Sequence, residues 1–485
     1  MTNARYGSVP PPPPPASPTP IPTHWQPYPA QRRRRRRVPG WIVAVGAATS
    51  VAAVVSFFTV LLWPGSDGQK PAGPLEFQRF GSVTRIDFGQ PSHTTLTSVE
   101  GDNGYTAWEQ GGDLHVVAFD VASGDERWRQ VVSGPSQWSR LLAAPGTLLV
   151  LALEDDDTEP RRMFVLDSET GAQRWHKDVR GDDLVFFLEG ALGWLDHEGR
   201  ALRALDLASG AERWRHEFPN EEDSNAVAVL NQADLARPSN LVGEPGPGIG
   251  DHRIVMVNPD RSVWTIDGNT GQILSEGSNR ASPDDLLLGY GERLFVAPNE
   301  VDYQVVSYDL LQLSGVPQVH YTPPDQDRYP VMVEPCGTGR VCLLESDQFD
   351  SEQTDVVAVN AVDGGEIWRA SAPEAERLLG VGDWAVTVAS LTYQPTVQVF
   401  DETGNTAREK PGLPVRLNDA NLLIVTTAGG YEDYLEAVGV AIDNGEEVGL
   451  GRLPEGIEQE QCSWNERHLV CPDRAGAEVW QFARE

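Results

Sequence analysis

Eight residues recur in one setting along the chain. Asp120, Asp167, Asp206, Asp267, Asp309, Asn360, Asp401 and Asp443 each end a short apolar run and open a polar turn. Repeated carboxylates invite acid–base or cation-binding chemistry. Their place before a turn in every unit points to structure instead. An Asp at the head of a turn accepts hydrogen bonds from backbone N–H groups two or three residues on. A denser group, Glu154, Asp155, Asp156 and Asp157, has the charge to hold Ca2+. It lacks the alternating loop of a calcium site and reads as a solvated hairpin tip. His115, His176, His197 and His216 show no metal-ligand spacing and read as surface or filler residues. No H-E-x-x-H, G-x-S-x-G or G-x-x-x-x-G-K-S/T motif occurs. No catalytic, cofactor-binding or metal residue is assigned.

The elements around these residues are hairpins. Gly124, Gly171, Gly210, Gly271 and Gly364 each stand four positions after their Asp or Asn, where a positive φ suits the turn. Trp128, Trp175, Trp214 and Trp368 follow four positions later, on the next short strand. Successive turn residues lie 47, 39, 61, 42, 51, 41 and 42 apart, a β period in the forties. Further apolar runs before each hairpin supply two more strands, which makes the unit a four-stranded propeller blade. The longest interval holds a loop at 231–251, a candidate partner contact. A second candidate is the tip 346–355.

Cys336, Cys342, Cys462 and Cys471 flank short polar turns between apparent strands. In an exported domain an even number reads as disulfides, and the local pairing, Cys336–Cys342 with Cys462–Cys471, clips one hairpin each. Metal ligation is the alternative, although the spacings match no common zinc pattern.

The 485 residues carry a net charge of −33. Residues 1–39 hold Arg5 and Arg32 to Arg37 and no acid, a charge of +7 that leaves −40 for the remainder. So acidic a body repels nucleic acid and anionic lipid. Residues 1–39 are also rich in proline and read as a disordered cytoplasmic tail, with docking to a cytoplasmic partner as the second reading. Residues 40–63 carry no charge. From Trp41 to Trp63 a helix reaches roughly 34 Å, enough to span the hydrocarbon core. Six arginines precede it, which places the N-terminus in the cytoplasm and the rest outside. A linker, 64–74, leads to the ectodomain, 75–485.

The pattern Ala-x-Asp-x-x-Thr-Gly-x-x-x-Trp, with variations, resembles the repeat of pyrroloquinoline-quinone-type (quinoprotein-like) β-propellers. The resemblance covers about residues 92–485 and implies that Trp128, Trp175, Trp214 and Trp368 pack between adjacent blades. The expected fold is an all-β propeller of eight blades, with seven or nine as alternatives. The segment 75–89 is expected to pair with the last unit and close the ring. The resemblance also implies a role as an envelope scaffold or a sensor ectodomain, with an envelope or cell-wall partner; no cofactor is expected, because no Glu/Asn/Asp calcium set can be assigned. The alternatives are a dehydrogenase using pyrroloquinoline quinone with calcium and a polysaccharide-binding module. Family dehydrogenases often use a vicinal cysteine pair, which is absent here. The high Ala, Gly, Pro and Arg content suits a high-GC bacterium, with the chain in its plasma membrane.

Overall fold

The computed structural model describes residues 73–81, 84–90, 92, 94–134, 138–152, 160–180, 183–218, 226–229, 253–349, 353–389, 395–427, 435–442, 444–454, 457 and 461–484. The expected tail, transmembrane helix and most of the linker lie outside these residues. So do Asp443, the acidic run 154–157 and the loop 231–251. Among the described residues no helix is long and apolar enough to cross a membrane.

Among the described residues, thirty-six strands form nine antiparallel sheets of four. Eight of these blades are continuous in sequence. They occupy residues 95–132, 138–180, 184–217, 226–277, 286–321, 328–371, 377–411 and 413–453 for blades 1 to 8. Blade 9 is composite. Ser463–Trp464, His468–Pro472 and Gly476–Gln481 supply three strands, and Thr84–Asp87 pairs outside them with Thr84 opposite Val479. The eight-blade expectation is therefore corrected to nine. Each visible hairpin is the outer half of its own blade, and the last unit is a further blade completed from the N-terminal side.

Burial follows position in the blade. The second strands, such as Thr147–Ala152 and Ala191–Asp196, are buried along their whole length. Outermost strands such as Glu212–Glu217 are mostly exposed. Among the described residues, nine apolar clusters lie one at each blade junction. The closing cluster joins Ile86, Phe88, Val470 and Val479 of blade 9 to Trp108, Val117 and Phe119 of blade 1. Closure leaves no terminal blade with an open apolar face, which removes a site for aggregation.

One turn residue is also reassigned. In blade 1 the Asp120 N–H donates to Asp125 O and the Gly124 N–H to Asp120 O. Blade 8 makes the same two bonds with Ala441, which donates to Glu446 O and accepts from the Gly445 N–H. Its turn is thus headed by Ala441, two residues before Asp443.

Candidate functional site

The repeated hairpin has one geometry. Asp167 Oδ1 accepts from the N–H groups of Glu169 (3.0 Å) and Thr170 (2.9 Å) and from the Thr170 hydroxyl (2.9 Å). Its Oδ2 accepts from Arg174 at 2.8 Å. Asp120, Asp206 and Asp267 make the same backbone bonds, and Asn360 accepts from Val362 and Asp363. The Arg213 guanidinium and the Ser209 hydroxyl hold the Asp206 carboxyl down at about 2. These side chains are occupied by their own turns, as a structural role requires.

The tryptophans reach the next blade. A register shift follows Ala118, Val165, Ala204 and Ala358, the residues opposite Trp128, Trp175, Trp214 and Trp368. Such bulges re-aim a side chain. Each indole Nε1–H donates to a carbonyl of the following blade: Ser168 (2.9 Å), Leu207 (2.9 Å), Gly268 (2.8 Å) and Glu402 (3.0 Å). Each also lies against a turn glycine of that blade. A Cβ on Gly171, Gly210, Gly271 or Gly404 would come within 2.5 to 2.8 Å of the ring. Gly210 has φ +68°, so this position needs glycine both for its backbone and for the indole above it. At ring closure Thr84 takes the tryptophan's place against Gly124.

Other hairpins substitute polar groups at the same register. Ser275 accepts from the Leu313 N–H (2.9 Å), and Arg408 donates to Gly445 O. Gln318, opposite Ser307, donates to Val362 O at 2.7 Å. This last junction lies between blades 5 and 6.

Behind Gln318 lies a buried polar assembly. His320 Nδ1 lies 3.0 Å from Asn360 O, to which it donates, leaving Nε2 to accept from the Ser307 hydroxyl at 2.7 Å. Arg293 Nε donates to the same hydroxyl at 2.6 Å. A serine beside a histidine resembles a nucleophile and its base. Ser307 is fully buried, however, and His320 nearly so, which makes them a structural pair. Burial holds the His320 imidazole below the ordinary histidine range. Next to it, fully buried Glu345 accepts from Tyr303 (2.7 Å), Tyr321 (2.9 Å) and Arg369. Arg369 also pairs with Asp355 (3.0 Å) and Glu366 (3.1 Å). Burial pushes the Tyr303 and Tyr321 hydroxyls up, reinforced by the Glu345 charge. The Glu345 charge is paired with Arg369, the condition for tolerating a buried ion.

In front of this assembly the rim is apolar and open. Leu311, Val316, Val319, Val362 and Ile367 are 57, 94, 51, 66 and 49% exposed. A depression of about 300 Å3 opens between Val319, Thr322 and Pro324 on one side and Gly365 and Glu366 on the other. The sequence reading passed over these residues. Their signal was a turn, Asp309 to Gln318, that is longer than its relatives, carries leucines and a valine, and leads to no tryptophan.

The remaining singled-out residues are placed as follows. Cys336–Cys342 and Cys462–Cys471 form disulfides in the inner hairpins of blades 6 and 9. His115 stacks on Trp108, His176 lies beside Phe164, His197 faces Asp183 and His216 reaches Gly271 O. From the tip 346–355, Ser346 is buried and Phe349 is exposed. A quinone held with calcium needs oxygen ligands gathered around the cation. Among the described residues no three His, Cys, Asp or Glu side chains gather in that way. No residue is therefore assigned to such a site.

Residues 112–242 match the family model of the outer membrane protein assembly factor BamB. No curated protein matches the chain. Among solved structures, BamB from Moraxella catarrhalis is 13% identical with a TM-score of 0.41, over 84% of this chain and 98% of that one. A europium-containing methanol dehydrogenase is 14% identical with a TM-score of 0.37, over 84% and 93%. The computationally designed Ika8 protein is 11% identical with a TM-score of 0.43, over 84% and 100%. Likeness at this level carries no functional argument. The nine four-stranded blades make this chain a β-propeller, and the family match together with the Asp–Gly–Trp hairpins shows PQQ-like repeats in it.

Proposed function

We propose that the chain is a membrane-anchored binding or scaffold module on the outer side of a bacterial plasma membrane. The observation that carries this reading is the exposed apolar rim of blades 5 and 6. Exposed large apolar side chains gathered on neighbouring blades mark a contact site. The matched family is named for the assembly of outer membrane proteins, which suits a role in protein contact. The uncharged stretch 40–63 behind six arginines supports anchoring, and two disulfides suit an oxidising exterior.

The test uses the full tagged chain. A membrane-impermeant crosslinker applied to intact cells is expected to trap discrete adducts with other envelope proteins. Calorimetric titration of the chain in lipid nanodiscs with pyrroloquinoline quinone and Ca2+ is expected to show no saturable heat. One-to-one cofactor binding without adducts would overturn the reading in favour of a quinone-dependent dehydrogenase.

A further inference from the structure

We infer that the rim between blades 5 and 6 binds an extended segment of a partner protein with alternating apolar and basic side chains, an assignment that rests on the binding-module reading above. Val362 and Ile367 stand exposed on blade 6, beside the place where blade 5 docks. Gln318 donates to Val362 O, the Gly365 N–H donates to His320 O at 2.6 Å, and Val319 and Glu366 border the same depression. Other exposed large apolar residues are scattered. Val131, Leu184 and Ile273 lie on blades 1, 3 and 4, while Val301 and Phe349 occupy loops at the opposite ends of the blade 5 and 6 strands. Isolated residues of that kind need no explanation, whereas a cluster does.

Shape selects an extended ligand. The depression lies beside two outermost strands, Gln318–Tyr321 and Glu366–Ser371. Among the described residues, Glu366–Ser371 pairs only with Thr354–Asn360, so its outer edge has backbone groups to offer. An extended peptide can use such an edge for main-chain bonds while adjacent surfaces read its side chains.

Charge selects a basic one. Asp309, Asp325, Asp363 and Glu366 are exposed in the segments that carry or border the apolar residues. Residues 301–371 contain twelve carboxylates against three arginines, a net −9. All three arginines are engaged within the fold. Arg328 bonds Gln353 O and pairs with Asp355, Arg340 bonds Cys336 O and Glu402 O, and Arg369 holds Glu345. Arg280, beside the long turn, donates to Ser314 O and lies over the Tyr308 ring. A lysine- or arginine-bearing segment is thus attracted, and an acidic one repelled. A second copy of this chain is disfavoured for the same reason, because a two-fold contact would set the acidic rim against itself.

The probe is a fluorescein-labelled octapeptide of alternating valine and lysine, measured by anisotropy with the full chain in nanodiscs. A valine–glutamate octapeptide is the control. Saturable binding of the basic peptide is expected, weakened by added salt. Asp363→Lys and the double variant Val362→Ser with Ile367→Ser should each weaken it at least tenfold, whereas Val131→Ser on blade 1 should leave it unchanged. The substituted side chains are exposed, so the melting temperatures should match that of the parent chain. Absence of binding, equal binding of the acidic peptide, or rim variants that bind like the parent would each overturn the assignment. So would a sedimenting dimer that Val362→Ser dissolves, which would identify a second copy as occupant. If the peptide fails while the crosslinked adducts persist, the binding-module reading stands and the contact lies elsewhere on the ring.

Discussion

The contact between Trp175 and Gly210 offers a test of what joins the blades. Trp175 is partly buried and donates to Leu207 O. A fully buried aromatic removes on the order of 200 Å2 from water. At least about two-thirds of that, at roughly 25 cal/mol per Å2, gives about 3 kcal/mol or more. The hydrogen bond adds about 0.5–1.5 kcal/mol. Trp175→Ala should therefore cost about 4–5 kcal/mol. Gly210→Ala carries two penalties. The backbone at φ +68° costs a side chain about 1–2 kcal/mol. The new Cβ would also lie 2.8 Å from two indole atoms, and overpacking of that kind costs about 1–3 kcal/mol. In the double variant the indole is gone and only the backbone penalty remains. The pair should be less destabilised than the sum of the singles by about 1–3 kcal/mol. Gly146→Ala calibrates the backbone penalty alone, since Gly146 has φ +72° and open space where its Cβ would stand. Equilibrium urea unfolding of the five proteins, followed by far-ultraviolet circular dichroism, reads each quantity without relying on tryptophan fluorescence. Additivity of the two substitutions within about 0.5 kcal/mol would refute the docking role.

Two further outcomes follow from the buried charges. Arg369→Met leaves the fully buried Glu345 without its cation and should cost about 3–5 kcal/mol, much of it recovered when Glu345→Gln is added. Equal urea midpoints for the single and double variants would contradict this. For pH, burial keeps His320 and His468 below the ordinary histidine range. As pH falls below about 6.5 the unfolded chain takes up protons that the native chain does not, and stability falls. Glu334, pushed up to about 7 by burial, acts in the opposite sense. The native chain takes up its proton as pH falls through that value, while the unfolded chain remains ionised until about 4.5, which raises stability. His320→Gln removes one histidine contribution and leaves Glu334 in place. Its stability relative to the parent chain should therefore rise steadily from pH 7 to pH 5, and a constant difference would rule the contribution out.

The hairpins were legible because their chemistry is local. Asp167, Gly171 and Trp175 fall within nine residues, and each acts through its own turn or the adjoining blade. Ring closure was legible in the segment 75–89, which precedes the first hairpin, whereas nine blades stood only as an alternative to eight. The last blade has no outer turn to announce it, since its fourth strand lies almost the whole ectodomain away in sequence. Ala441 escaped notice because two backbone bonds define that turn without a carboxylate at its head. The apolar rim was hidden for a different reason. Val319 looks like an ordinary strand residue and Val316 and Val362 fall in turns, and their exposure depends on what the neighbouring blade leaves uncovered.

The departure from the repeat therefore links fold to function. At the four tryptophan-docked junctions one side chain does two things: it donates to the next blade and it covers that blade's turn. Gln318 retains the donation to Val362 O but has no ring with which to cover the turn. Closure of this junction then falls to what lies deeper, the hydrogen bonds of His320 and the ion pairs around Glu345. Such a junction keeps its geometry without outer apolar cover, so Val319, Val362 and Ile367 can stand exposed without loosening the ring. Replacing Gln318 with tryptophan would restore the repeat and roof part of the depression. In a ring built from near-identical contacts, a contact surface is most readily placed where the repeat has been given up and its structural task moved inward.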